Sequence, residues 1–231
     1  MIKEAIILAG GLGTRLRPVL NDLPKSMAPV NDIPFLAYII DNLQKQGVER
    51  FIFSLGYKSD AIIDFLEDWY KHLDKIYVIE QEPLGTGGAI KEACKNVWGR
   101  NTFVLNGDTL FSIKLDELAD IHHKQHAECT IALKPMTNFD RYGAVETNTN
   151  AIVTAFHEKQ FCAKGLINGG IYVLQVKKFQ EHQLPEKFSF EKEYLEKYLH
   201  NNKIYGIAFD DYFIDIGIPE DYARAQQELI K

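Results

Sequence analysis

The chain has 231 residues, 46% of them hydrophobic and 25% charged, with a formal net charge of −6. That length and apolar content suit one α/β domain with a large core. The negative balance supplies no global field for a polyanion, which argues against nonspecific nucleic-acid binding and requires any site for an anionic substrate to be built locally.

Three cysteines, Cys94, Cys129 and Cys162, are odd in number and form no CxxC pair, as expected of reduced thiols in a cytoplasmic chain. The opening residues are not expected to be a signal peptide, because their short apolar run has an acidic flank and runs straight into glycines. No stretch approaches the roughly 18 apolar residues of a membrane span. No repeat or Pro/Gly/Ser-rich linker divides the sequence, so a single domain over 1–231 is expected, in two parts of about 1–128 and about 129–231.

Ala5–Ala9 is a continuous apolar run ending at glycines, the pattern of a strand buried on both faces. Phe35–Gln46 carries Leu36, Ile39, Ile40 and Leu43 at helical spacing, with Gly47 as its stop. Phe51–Leu55 reads as a strand, and Asp60–Tyr70 as a helix with Ser59 as its N-cap. Its acidic, aromatic end, Asp64–Tyr70, reads as packing. Ile76–Ile79 and Thr102–Leu105 are further strands, separated by a helix from about Ala89 to Val97. This alternation predicts a parallel sheet covered by helices, with ligands at the carboxyl ends of the strands. Beyond residue 128 the candidate strands Cys129–Leu133, Ala144–Glu146, Ile152–Phe156 and Gly170–Leu174 crowd together, which predicts a mixed or antiparallel extension closed by a helix from Pro219. His122, His123 and His126 lack the glutamate and third ligand of a zinc site and read as an exposed helix face.

After the first strand comes Leu8-Ala9-Gly10-Gly11-Leu12-Gly13-Thr14-Arg15-Leu16-Arg17-Pro18, then Leu23-Pro24-Lys25. Glycines let consecutive N–H groups point at phosphate oxygens, while Arg15, Arg17 and Lys25 bring cations to the same place. A plain turn with surface basics would explain the glycines without needing the cations. A dinucleotide loop is excluded by the missing third glycine, and a Walker loop by the absence of a terminal Gly-Lys-Ser/Thr.

Leu8–Leu16 with Pro24-Lys25 resembles the signature of the sugar-phosphate nucleotidylyltransferases, with Ser26 where a proline is common. The resemblance covers essentially the whole chain. It implies a Rossmann-like three-layer α/β fold with a mixed central sheet and a smaller antiparallel sugar-binding extension. It further implies that Arg15 and Lys25 are catalytic, and that Leu8, Ala9, Gly10, Gly11, Gly13, Thr14, Arg15, Gln81, Gly85, Thr86 and Asp108 bind nucleotide. Gln81–Ala89, with its Pro83-Leu84-Gly85-Thr86-Gly87-Gly88, looks like the base-holding loop of guanylyltransferases; on composition alone it is equally a glycine turn.

Asp108, just past a strand, and Asp215 match the two metal-binding aspartates of the family, implying Mg²⁺. Read without the resemblance, Asp215 would be a turn or N-cap residue behind a buried Phe213. Tyr142, Gly143, Glu158, Lys159, Asn168, Gly169 and Asp215 match sugar-phosphate-binding positions, with Gln160 replacing a frequent proline. Leu166–Tyr172, Glu186–Glu191 and Phe209–Tyr222 look like the family members that join GTP to D-glycero-α-D-manno-heptose 1-phosphate, which make GDP-heptose for bacterial surface glycans. Mannose 1-phosphate or another nucleoside triphosphate is the alternative pairing, and a non-catalytic sugar-nucleotide sensor the alternative of another class. The expected partners are these small molecules, with no nucleic acid or membrane; a homo-oligomer is compatible with the sequence.

Overall fold

The computed structural model describes residues 1–11 and 23–229. Its centre is a nine-stranded mixed sheet with the strand order β10-β9-β11-β6-β1-β4-β5, in which β8 also pairs β11 and β12 pairs β8. The parallel part comprises β1 (Glu4–Leu8), β4 (Arg50–Leu55), β5 (Asp74–Ile79) and β6 (Asn101–Asn106). Between β1 and β4 lies a small hairpin, β2 (Pro29–Val30) and β3 (Ile33–Pro34). Strand β1 lies between β4 and β6, so the chain leaves it to one side and later returns to the other. Loops diverge at such a switch point and leave a crevice at the strand ends.

Alternate residues of the central strands feed two cores. Ile7, Phe51 and Phe53 join one, with α1 (Phe35–Lys45), α2 (Ser59–Trp69) and α4 (Leu115–Lys124). Ile6, Ile52 and Val104 join the other, with α3 (Gly85–Ala93), α5 (Val176–Glu181) and a π-helix over Phe190–Glu196. This is the expected three-layer α/β arrangement. The antiparallel extension is also present: β8 (Cys129–Phe139), β9 (Ala144–Thr147) and β10 (Val153–Phe156) surround the long β11 (Cys162–Gln175), which runs antiparallel to β6. A further strand, β12 (Ile204–Ala208), adds to β8 in parallel. The last helix, α6 (Pro219–Glu228), starts at Pro219 as expected. No helix among the described residues is long and apolar enough to cross a membrane.

Several local expectations need correction. Ser59 is the first residue of α2 rather than its cap; the residue before it is Lys58 in the left-handed region at φ 52°, with no side-chain cap. Helix α3 begins four residues earlier than expected, so Gly85–Gly88 are its first turn and not a free loop. Asn168–Gly170 lies inside β11, at a shift of register, instead of preceding a strand. His122 is buried, not exposed: the stripe Leu115, Leu118, Ala119, His122 turns inward, and the His122 imidazole meets Thr130 Oγ1 through Nδ1 at 3.0 Å. Cys94 and Cys129 are buried free thiols and Cys162 is partly exposed; burial pushes the Cys94 thiol up to about 12.

Candidate active site

Two clefts open at the carboxyl ends of the parallel strands. The first, of about 680 Å³, is floored by the loops after β1 and β4. These loops touch: a Cβ on Gly10 would stand 3.0 Å from Gly56 N, and one on Gly56 would stand 2.9 Å from Gly10 O. Only glycines let the two strand ends meet so closely. Beyond them, Glu80 follows β5 and holds the loop leading to α3: its Oε2 accepts from Leu84 N at 2.9 Å and its Oε1 from Ser54 Oγ at 3.4 Å. Leu8, Gly10, Gly11, Gln81, Gly85, Thr86 and Asp108 all line this cleft, together with Ser54, Tyr57, Glu80 and Asn106.

The opening turn of α3 is clasped from behind by residues 184–190. Gly87 N donates to Phe188 O, Phe188 N to Leu84 O and Phe190 N to Thr86 Oγ1, each at 3.0 Å. Lys91 Nζ donates to Leu184 O at 2.8 Å. A Cβ on Gly87 would run into the Phe188 ring, which explains a glycine in the middle of a helical turn.

The second cleft, of about 320 Å³, shares Asn106 with the first. Tyr142, Gly143, Glu158, Lys159, Asn168 and Asp215 line it, with Phe213, Glu191 and Lys192. Where the clefts meet, Lys25 Nζ lies 2.5 Å from Asp108 Oδ2 and 3.3 Å from Asp215 Oδ1. Topology makes this cluster. Strand β13 (Phe213–Asp215) pairs antiparallel with β7 (Thr109–Phe111), setting Asp215 opposite Thr109, the neighbour of Asp108. Ile216 N donates to Asp108 O at 3.1 Å, and Gly217 leaves room for the Lys25 ammonium, which would be 3.1 Å from a Cβ there. In β13 the buried residue is Ile214, whereas Phe213 is half-buried and faces the cleft with Asp215.

Burial, and then the neighbouring Asp108 carboxylate, raise the Asp215 carboxyl above the usual carboxylate range, with Lys25 opposing. Burial and Asp215 likewise raise the Tyr142 phenol, keeping it neutral. The Tyr142 hydroxyl reaches Asp215 Oδ2 at 3.5 Å. The two carboxyl groups share one ammonium. No group of three or more metal-ligating side chains exists among the described residues, so no complete protein cage is built there. A pair of oxygens leaving the remaining positions to phosphate and water suits Mg²⁺.

Of the other expected site residues, Gly13, Thr14 and Arg15 lie outside the described residues. Ala9 is buried and donates its N–H to Ser54 O at 2.8 Å, beneath Gly107, and does not line the cleft. Gly169 is not a lining residue either; a Cβ there would meet the Phe111 ring, so its smallness serves packing. Sequence reasoning missed Asn106, although it stands two residues before Asp108 at the end of β6. It also gave no site role to Lys192, or to Glu191, although Glu191 ends the segment Glu186–Glu191 that carries the resemblance.

The nucleotidyl transferase family profile matches residues 4–231. The D-glycero-alpha-D-manno-heptose 1-phosphate guanylyltransferase of Aneurinibacillus thermoaerophilus is 49% identical over 226 residues, 98% of either chain. The protein of the same name from Campylobacter jejuni is 48% identical, covering 95% of this chain and 96% of that one. Among solved structures, HddC from Yersinia pseudotuberculosis superposes with a TM-score of 0.90 at 38% identity, covering 98% of this chain and 99% of that one. HddC complexed with GMP-PN gives 0.87 at 37% identity, with the same coverage. A profile match over nearly the whole length and relatives of almost half identity, on a fold with two clefts meeting at Lys25, Asp108 and Asp215, place this chain in the nucleotidyl transferase family.

Proposed function

We propose that the chain transfers GMP from GTP to D-glycero-α-D-manno-heptose 1-phosphate, giving GDP-heptose and pyrophosphate. The observation that carries the chemistry is the junction of the two clefts at a lysine held between two carboxylates. The names borne by the relatives at 49% and 48% identity support the choice of guanine and heptose.

A sugar-phosphate oxygen attacks the α-phosphorus of GTP as the bond to the bridging oxygen of pyrophosphate breaks. A phosphate is already a competent nucleophile near neutral pH, so the residues need only position the reactants and neutralise charge. Lys25 would face the α-phosphate at the junction, and Lys159 the sugar phosphate in the second cleft. Arg15 is assigned to the departing pyrophosphate. Asp108 and Asp215 would hold Mg²⁺, which when bound neutralises charge on nucleotide oxygens. We place the enzyme in the cytoplasm, where GTP is supplied, and its product in bacterial surface glycan synthesis.

The test is pyrophosphate release over a matrix of nucleoside triphosphates and sugar 1-phosphates with Mg²⁺. Release is expected to be fastest with GTP and the heptose. Release with UTP or dTTP alone overturns the guanine assignment, and none with any pair leaves a sugar-nucleotide sensor.

A further inference from the structure

Two of the residues expected to read the sugar are already engaged within the protein. Asn168 Nδ2 donates to Tyr172 OH at 2.7 Å and to Glu191 Oε1 at 2.9 Å, while Asn168 Oδ1 accepts from Gly170 N at 3.0 Å. An amide has two N–H donors, so Asn168 has none left for a ligand. Glu158 in turn pairs with Lys192 Nζ at 3.2 Å. The partners Glu191 and Lys192 are consecutive residues of the π-helix over Phe190–Glu196, and both line the sugar cleft.

The geometry points to Glu191 as a residue that contacts the substrate and determines its specificity, accepting a sugar hydroxyl, with Asn168 as the positioning residue that aims it. One carboxylate oxygen is fixed by Asn168. The other, Oε2, has no hydrogen-bond partner among the described residues and belongs to a side chain lining the cleft. An ionised carboxylate accepts only, and a hydroxyl group offers the donor it lacks. Asn168 is itself held at both ends of its amide, so it fixes Glu191 as a rigid support would. The inference rests on the sugar-phosphate reading of this cleft and deepens it.

The experiment compares wild type and Glu191→Ala with GTP, using the heptose 1-phosphate and a set of its monodeoxy analogues, each lacking one hydroxyl. Glu191 is exposed, so the variant is expected to keep the wild-type melting temperature. Glu191→Ala is expected to lower kcat/KM for the sugar phosphate by about 10- to 100-fold with the KM for GTP unchanged. One deoxy analogue should be poor for wild type yet no worse than the full sugar for Glu191→Ala, a coupling that a merely structural role would not produce. An unchanged kcat/KM, an equal rise in the KM for GTP, or no coupled analogue overturns the assignment. If wild type itself turns over no sugar phosphate, the functional reading fails, and the inference with it.

Discussion

Phe190 donates its backbone N–H to Thr86 Oγ1 at 3.0 Å, so a residue of the first cleft holds the segment that enters the second. Thr86→Val keeps the shape and removes the acceptor, leaving that N–H unpaired in a half-buried place. The expected cost is about 1–2 kcal/mol of stability, read by denaturant unfolding. Because Glu191 is the next residue, the KM for the sugar phosphate should rise several-fold, and more than the KM for GTP.

Gly87 tests the same contact through volume. Gly87→Ala would press a methyl into the Phe188 ring, an overpacking expected to cost about 1–3 kcal/mol. The double variant Gly87→Ala/Phe188→Leu should recover part of that loss, measured as a double-mutant cycle in thermal unfolding.

Lys25 lies between two carboxylates with its side chain only 12% exposed. Lys25→Met removes the cation and leaves Asp108 and Asp215 facing each other. Steady-state pyrophosphate release should show kcat reduced by about 100-fold or more, with KM changed far less, if the contact tightens in the transition state.

Metal removal gives an independent check on the acidic pair. EDTA should abolish pyrophosphate release and excess Mg²⁺ should restore it. Asp108→Asn and Asp215→Asn should each raise the Mg²⁺ concentration needed for half-maximal rate by about tenfold or more. Equal Mg²⁺ requirements in wild type and both variants would remove these residues from the metal site.

His122 is expected to contribute to the loss of stability in acid. Desolvation, then His123 and Arg100, bring its pKa from 6.5 down to about 3. The folded state therefore holds a neutral ring where the unfolded chain takes up a proton. Stability should fall as pH drops from about 6.5 towards about 3, with a limiting slope for this one group of ~1.4 kcal/mol per pH unit. Urea unfolding across that window should give a shallower slope for His122→Gln.

The parallel half of the sheet was legible because its strands are short apolar runs punctuated by glycines. The antiparallel half was legible as a cluster of strands, but not in its pairing. Nothing local in Phe213-Ile214-Asp215 announces a partner about a hundred residues upstream, and that pairing brings Asp215 to Asp108. His122 was misplaced for a local reason that could have been read: it continues the spacing of Leu115, Leu118 and Ala119, so the apolar stripe carries it inward. Gly169 was read as a sugar-site glycine and Gly87 as part of a base-holding loop or a plain turn, yet their missing Cβ atoms make room for Phe111 and Phe188, contacts that exist only in three dimensions.

The β2–β3 hairpin that follows Lys25 is gripped by the last helix. Asn31 N donates to Gln226 Oε1 at 2.8 Å, Asn31 Nδ2 to Leu229 O at 2.8 Å and Gln226 Nε2 to Pro29 O at 2.7 Å, with Tyr222 OH also bonded to Pro29 O. Order matters during synthesis. A nascent chain can close β1 on β4 early, but neither the grip on the hairpin nor the meeting of Lys25 with Asp215 can form until the segment from Asp215 to Leu229 has left the ribosome. Assembly of the reaction centre is thus expected to be among the latest folding events, so a chain halted short of residue 215 could bury much of its first core while remaining inert.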